Sequence, residues 1–301
     1  MIVIFVKLTF FIFFIIFISQ PLAAEIKIAL TFDDGPAGAN KDELSPTRSV
    51  LDTLKAENIA AAFFVLTGPD KLFFKTLPRG ETTEGFNLIK STAKEGHLIQ
   101  CHWGGSYSSQ TNLHPSSVVK PAYDFDGDAV IDKVTEKGNA LESDLLQCID
   151  RLQQVLDEEN ITDNALEYIR PPVWVFKHRY VDARPTYHAL NLQMILTDAK
   201  LFDGGFGIQR LGRMMKDMSK AIAAGEKNII LTLHDAMPKT AKHLPKTIDT
   251  IRKKMASLNL VEGQDWSFTR SRKELKTLFD EKEYFYLQKY SVSSNPFKNT
   301  L

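Results

Sequence analysis

The stretch Ile26-Lys27-Ile28-Ala29-Leu30-Thr31-Phe32-Asp33-Asp34-Gly35-Pro36 decides how this chain is read. Its first half is a short apolar run with β-branched residues, the pattern of a buried strand over Ile26–Thr31. Its second half places two adjacent carboxylates before a Gly-Pro turn, where they serve no packing purpose. Ionising both side by side is unfavourable unless a cation or an arginine compensates. One Asp binding a metal while the other works as a base resolves that conflict. A solvated Asp-Asp turn would carry the same six residues, so the rest of the chain has to decide.

Outward from this stretch, short apolar runs recur at Ala60–Leu66, Leu98–His102, Glu167–Arg170, Leu192–Leu196 and Asn228–Leu233, each bounded by Gly, Pro, Asp or polar clusters. Helical patterns lie between them. The clearest runs from about Ala140 to Asp157, with Leu141, Leu145, Cys148/Ile149, Leu152 and Leu156 on one face; a second aligns Leu244, Ile248, Ile251, Met255 and Leu258. Alternation of this kind predicts an α/β fold with a parallel sheet or barrel and helices outside. In such folds chemistry gathers at the carboxyl ends of the strands.

The reactive residues fall there. Asp33 and Asp34 follow the first strand, His102 ends the third, Arg170 closes the fourth before Pro171-Pro172-Val173-Trp174, Asp198 and Asp203 follow the fifth, and His234-Asp235 ends the sixth. A lone histidine is usually a satisfied core or surface residue. Here His102 meets the Asp pair at one rim, with His114 on the following loop. Two imidazoles and one carboxylate leave open positions on a divalent ion, as catalytic zinc sites do.

Lys+Arg and Asp+Glu are equal at 37 each, so no surplus of positive charge points to nucleic acid or to anionic lipid. Residues 1–24 read as a secretory signal: an apolar run from Met1 broken only by Lys7 and Thr9, then Pro21 and small residues before Glu25. An uncleaved anchor is the alternative reading. Either way the remainder leaves the cytoplasm, as one domain over residues 25–290 with a loose tail over 291–301 and no membrane partner once the signal is removed. Cys101 and Cys148 are too few for a disulfide scaffold; one bridge and two buried thiols fit equally.

These motifs resemble the polysaccharide deacetylases, the NodB-homology domain of carbohydrate esterase family four. The resemblance spans roughly Ile26 to Leu258. Thr31–Pro36 is similar to the family's T-F-D-D-G-P, Ala61–Val65 to its second strand, Gly96–His102 to G-H-x-I-x-x-H, Arg170-Pro171-Pro172 to its third motif and Leu233-His234-Asp235 to its fifth. It implies a distorted (β/α) barrel of about seven strands and a secreted, metal-dependent hydrolase. The substrate implied is an acetylated polysaccharide such as peptidoglycan or a chitin-like chain. By motif, Asp33 would be the general base and His234 the general acid, with Arg170 tuning the base and the Val173 N–H donating to the oxyanion. Asp34, His102 and His114 would hold a divalent metal, zinc by donor type.

Several positions depart from the family's pattern. Its second motif spaces two histidines four apart, but position 106 is Ser, so an insertion over Trp103–Leu113 transfers the ligand role to His114. The fourth motif lacks its Trp, leaving Asp198 or Asp203 as the partner of Arg170. Thr232 stands where Leu usually lines the acetyl pocket, and would make that pocket more polar or move its wall. Asp124, Asp126, Asp128 and Asp132 have calcium-loop spacing but lack its Gly and Glu, and read as an acidic surface loop, with a weak calcium site as the alternative. An O-acetyl polysaccharide esterase and a carbohydrate-binding pseudoenzyme of the same fold are the competing readings.

Overall fold

The computed structural model describes residues 25–39, 44–67, 82–103, 134–170, 187, 189–201 and 211–291, with the side chains of 103, 134–144 and 283–291 set aside. The segment read as a secretory signal, the tail beyond 291, the acidic loop, Ser106, His114, Val173 and Asp203 lie outside the described residues.

Among the described residues eight strands form one sheet, and every pairing between them is parallel. They are β1 (Ile26–Gly35), β2 (Ala62–Leu66), β3 (Leu98–Trp103), β4 (Tyr168–Ile169), β5 (Gln193–Met194), β6 (Ala199–Lys200), β7 (Asn228–His234) and β8 (Trp266–Phe268). Seven run in the order β5-β4-β3-β2-β1-β7-β6. The eighth pairs with the start of β1, Ile26 opposite Trp266, on the edge that β2 occupies further along. The distorted (β/α) barrel of about seven strands expected from the sequence is therefore the fold, with β8 added and β6 separate from β5.

Six helices are described: α1 (Pro46–Ala56), α2 (Thr83–Lys94), α3 (Val134–Glu158), α4 (Leu211–Ala223), α5 (Pro238–Ala256) and α6 (Arg272–Ser291). Local chemistry sets their starts. Ser45 and Thr82 cap α1 and α2 by accepting from the N–H groups of Arg48 and Gly85, and Pro46 and Pro238 occupy first-turn positions that need no donor. The helix expected at Ala140–Asp157 is α3, and Leu145, Cys148, Leu152 and Leu156 are buried as its periodicity requires. In α5 the stripe stops at Met255; Leu258 lies past the helix end and is exposed.

Strand alternation sorts the sheet into two faces. Ile28, Leu30, Phe32, Phe63 and Val65 belong to a large core with Leu51, Leu152, Met218 and Ile248 of the surrounding helices. Ala29, Ala62, Phe64, Leu98, Tyr168 and Ile230 belong to a second cluster, with Leu275, Leu278 and Phe279 of α6. This second face turns polar towards the carboxyl ends of the strands. Cys101 and Cys148 form a disulfide that ties β3 to α3. Among the described residues no helix is long and apolar enough to cross a membrane.

Candidate active site

The polar end of the second face follows from strand register. Thr31 lies opposite Thr232, and Asp33 lies opposite His234, across β1 and β7. On the other side of β1, Asp33 lies opposite Phe64 of β2. Residues paired across a parallel ladder share a face, so Thr31, Asp33, Thr232 and His234 project together.

Asp34 would point away if alternation continued. It does not, because the β1–β2 register shifts between Asp33 and Gly35 and Asp34 adopts φ 67°. Asp tolerates this left-handed conformation better than most residues, and such strain concentrates at functional sites. The bulge brings the Asp34 carboxylate onto the same rim as Asp33. Its Oδ1 is 3.1 Å from His102 Nε2 and its Oδ2 is 3.7 Å from His234 Nε2.

The turn is fixed from behind. Thr47 Oγ1 donates to buried Asp235 Oδ2 at 2.6 Å and accepts from the Ala37 N–H at 2.8 Å, while Ser45 Oγ donates to the Ala37 carbonyl at 2.7 Å. Only glycine fits at position 35. A Cβ there would lie 2.0 Å from Asp235 Oδ2. The first turn of α1 and the residue after His234 thus both hold the Asp-Asp turn.

His102 is buried and its tautomer is set by its neighbours. Nδ1 is 2.6 Å from the Arg170 carbonyl oxygen, which can only accept, so Nδ1 carries the proton. In the neutral ring Nε2 then bears a lone pair, directed at a carboxylate oxygen that also only accepts. Two acceptors facing each other call for a proton or a cation between them. An imidazole whose second nitrogen donates to a backbone carbonyl is the usual arrangement of a metal-ligating histidine. The donor set therefore fits a divalent metal. Among the described residues no three acidic, His or Cys side chains converge to hold one. Asp34 and His102 would supply two ligands, and the expected third, His114, lies outside the described residues.

Arg170 reaches the first carboxylate. Its Nη1 donates to Asp33 Oδ1 at 2.8 Å and to Thr31 Oγ1 at 2.7 Å, its Nε donates to the Ile195 carbonyl at 3.3 Å, and its Cζ stands 4.2 Å from the centre of the Phe64 ring. Burial pulls its pKa below the ordinary guanidinium value, and the charge of Asp33 opposes that shift. A guanidinium stays protonated under such conditions.

Two further residues are placed by the structure. Asp198 makes no hydrogen bond to Arg170, although its charge raises the Arg170 pKa: its Oδ1 pairs with Lys282 of α6 at 2.9 Å and its Oδ2 accepts from the Ile230 N–H at 2.8 Å. Burial raises its pKa and Lys282 opposes the rise, so Asp198 fastens α6 to the sheet. Thr232 is fully buried and its hydroxyl lies 3.0 Å from that of Thr31, so it joins the Arg170 network. Neither Thr31 nor Asp235 was given a role from sequence. The period-two alternation that places Thr31 on the face of Asp33 was the available signal.

The family model described as polysaccharide deacetylase matches residues 23–184, more than half of the chain. The chain belongs to the polysaccharide deacetylase family. A peptidoglycan-N-acetylglucosamine deacetylase of Bacillus cereus is 40% identical over 77 residues, which cover 25% of this chain and 21% of that protein. The peptidoglycan-N-acetylglucosamine deacetylase PgdA of Listeria monocytogenes is 38% identical over 76 residues, 25% of this chain and 12% of that protein. The matched stretch thus spans about a fifth or less of these curated relatives. The catalytic domain of a Eubacterium rectale peptidoglycan N-acetylglucosamine deacetylase superposes with a TM-score of 0.51 at 17% identity, covering 81% of this chain and 87% of that one, and shares the fold.

Proposed function

We propose that this chain is a metal-dependent deacetylase, active outside the cytoplasm, that removes N-acetyl groups from a polysaccharide containing N-acetylglucosamine, of the peptidoglycan or chitin-like class. The observation that carries the reading is the rim itself. Asp33 and His234 are register partners, and the Asp34 carboxylate lies between His102 and His234.

An N-acetyl amide is a poor electrophile, and its hydrolysis needs an activated acyl carbon, a base for water and an acid for the departing amine. A divalent cation, zinc by the chemistry of two imidazoles and a carboxylate, would be held by Asp34, His102 and His114 and would supply Lewis-acid polarisation of the acyl oxygen. Asp33 accepts the proton of the attacking water, with Arg170 holding its carboxylate in place. His234 delivers a proton to the amine nitrogen as the C–N bond breaks. The Val173 N–H, by analogy with the family, donates to the oxyanion, which is worth a factor of about 10²–10³ for one such donor. Asp203 remains the motif-based candidate for a second partner of Arg170.

Export from the cytoplasm is supported by residues 1–24, with their secretory pattern, and by the Cys101–Cys148 bridge, a linkage that persists in oxidising compartments. The names of the matched relatives support the peptidoglycan-type substrate. Acetate release by the zinc-loaded protein tests the reading, using N-acetylated chitooligosaccharides and peptidoglycan against O-acetylated xylan. Release from the N-acetylated glycans is expected. Release from xylan alone would make it an ester hydrolase, and no release from any would leave a binding protein of the same fold.

A further inference from the structure

The Arg170–Asp33 pair has an unusual shape for an arginine–carboxylate contact. Arginine commonly grips a carboxylate with two parallel N–H groups, one on each oxygen. Here Nη1 alone makes the contact, and it meets Oδ1 alone. Nη2 is buried and has no hydrogen-bond partner among the described residues, so the fork is not used although a donor is to hand.

What prevents the fork is visible in the remaining contacts. The second hydrogen of Nη1 is taken by Thr31 Oγ1 at 2.7 Å, Nε is taken by the Ile195 carbonyl, and the Phe64 ring lies against Cζ. Thr31 is in turn saturated. Its own proton goes to the Leu231 carbonyl at 3.1 Å, which leaves Thr232 Oγ1, 3.0 Å away, to donate to the second lone pair of Thr31. A hydroxyl has one proton and two lone pairs, so this arrangement uses all three. Both threonines are fully buried, and neither hydroxyl can turn to water.

We propose that Thr31 and Thr232 are positioning residues that hold the Arg170 guanidinium to a single oxygen of Asp33, leaving Oδ2 clear of the arginine to take the proton of the attacking water. The inference rests on the reading of Asp33 as the base. Thr232 stands where the resembling family usually has Leu, so in this chain the second hydroxyl of the relay replaces a hydrocarbon wall. Without the Thr31 hydroxyl the guanidinium is able to rotate onto both oxygens of Asp33, which occupies the oxygen that must take the proton without touching substrate.

The test compares Thr31→Val, Thr31→Ser, Thr232→Val and Thr232→Ser in the wild-type and Arg170→Met backgrounds, with acetate release and thermal unfolding as readouts. In Thr31→Val, kcat should fall about tenfold to a hundredfold, the worth of a hydrogen bond to a charged group, with KM nearly unchanged. Thr232→Val should lower kcat about threefold. Both Ser variants should recover most of the rate. In the Arg170→Met background the Val substitutions should cost nothing further in rate, and their effects on the melting temperature should shrink correspondingly, a coupling that needs no metal or turnover to be read. Should Thr31→Val not fold, the Thr232 pair of variants decides. Folded Val variants with wild-type kcat, or losses that persist undiminished without Arg170, would overturn the proposal while leaving the deacetylase reading in place. Absence of acetate release by the wild-type protein would overturn both.

Discussion

Asp33 of β1 and His234 of β7 are register partners across a parallel ladder, so the proposed base and acid are held on adjacent strands by backbone pairing rather than by a loop. Asp33→Asn should therefore keep the geometry and lose the chemistry. The amide still offers an oxygen to Arg170 but cannot accept the proton of water, and turnover should fall by about 10²–10⁴. Bound metal should be retained, because Asp34 rather than Asp33 faces His102. Loss of metal in this variant would mean that the roles of the two carboxylates are exchanged.

Gly35→Ala tests the support behind the Asp-Asp turn. The added Cβ would meet the carboxylate of Asp235, which is buried and held by Thr47. Overpacking of this kind costs about 1–3 kcal/mol, read by urea unfolding. In an Asp235→Ala background the penalty should largely vanish. An undiminished penalty there would place the clash elsewhere.

Much of this was legible before the structure. The strands β1, β2, β3 and β7 are long enough for apolar runs and alternation to announce them, and His102, Arg170 and His234 mark strand ends. Two short strands carry no such signal: β6 has two residues and β8 only Trp266-Ser267-Phe268, and neither sits in an apolar run of the kind that marks the equally short β4 and β5. The fourth motif leaves Asp198 or Asp203 as the partner of Arg170, and the motif alone does not choose between them. The residue that Asp198 bonds to, Lys282, comes 84 residues later on a helix whose place in the fold no local pattern gives. Alternation alone also assigns Asp34 to the wrong face; only the bulge, a tertiary feature, brings it round.

His97 carries a pH signature. Its side chain is buried, Nδ1 accepts from the Ala61 N–H at 3.2 Å, and burial lowers its pKa from 6.5 to about 4. The unfolded chain therefore binds a proton between those values that the folded chain does not, and stability should fall as pH drops from about 6.5 towards 4, by at most on the order of 3 kcal/mol. His97→Asn keeps an acceptor and does not titrate. The stability of wild type relative to this variant should decline across that window, and a constant difference would remove His97 from the acid sensitivity.

The Cys101–Cys148 bridge closes a segment with a sequence separation of 47, and links β3 next to His102 with α3. Loop-closure entropy predicts that Cys148→Ser loses about 4 kcal/mol of stability in urea. Reductant should destabilise the wild-type protein and leave the variant unchanged. Equal stability of the two proteins would mean that the bridge constrains little.

The central claim is that the rim formed by Asp34 and His102 holds a catalytic cation with His114 as the third ligand. Metal content after exhaustive dialysis tests it most directly, in wild type, His102→Ala, His114→Ala and Ser106→Ala. Wild type and Ser106→Ala should each retain one equivalent of zinc, while both His→Ala variants should lose it, since two protein ligands are one short of the three found in catalytic zinc sites. A full equivalent retained by His102→Ala would contradict the account at its centre, and one retained by His114→Ala would move the third ligand elsewhere in the chain.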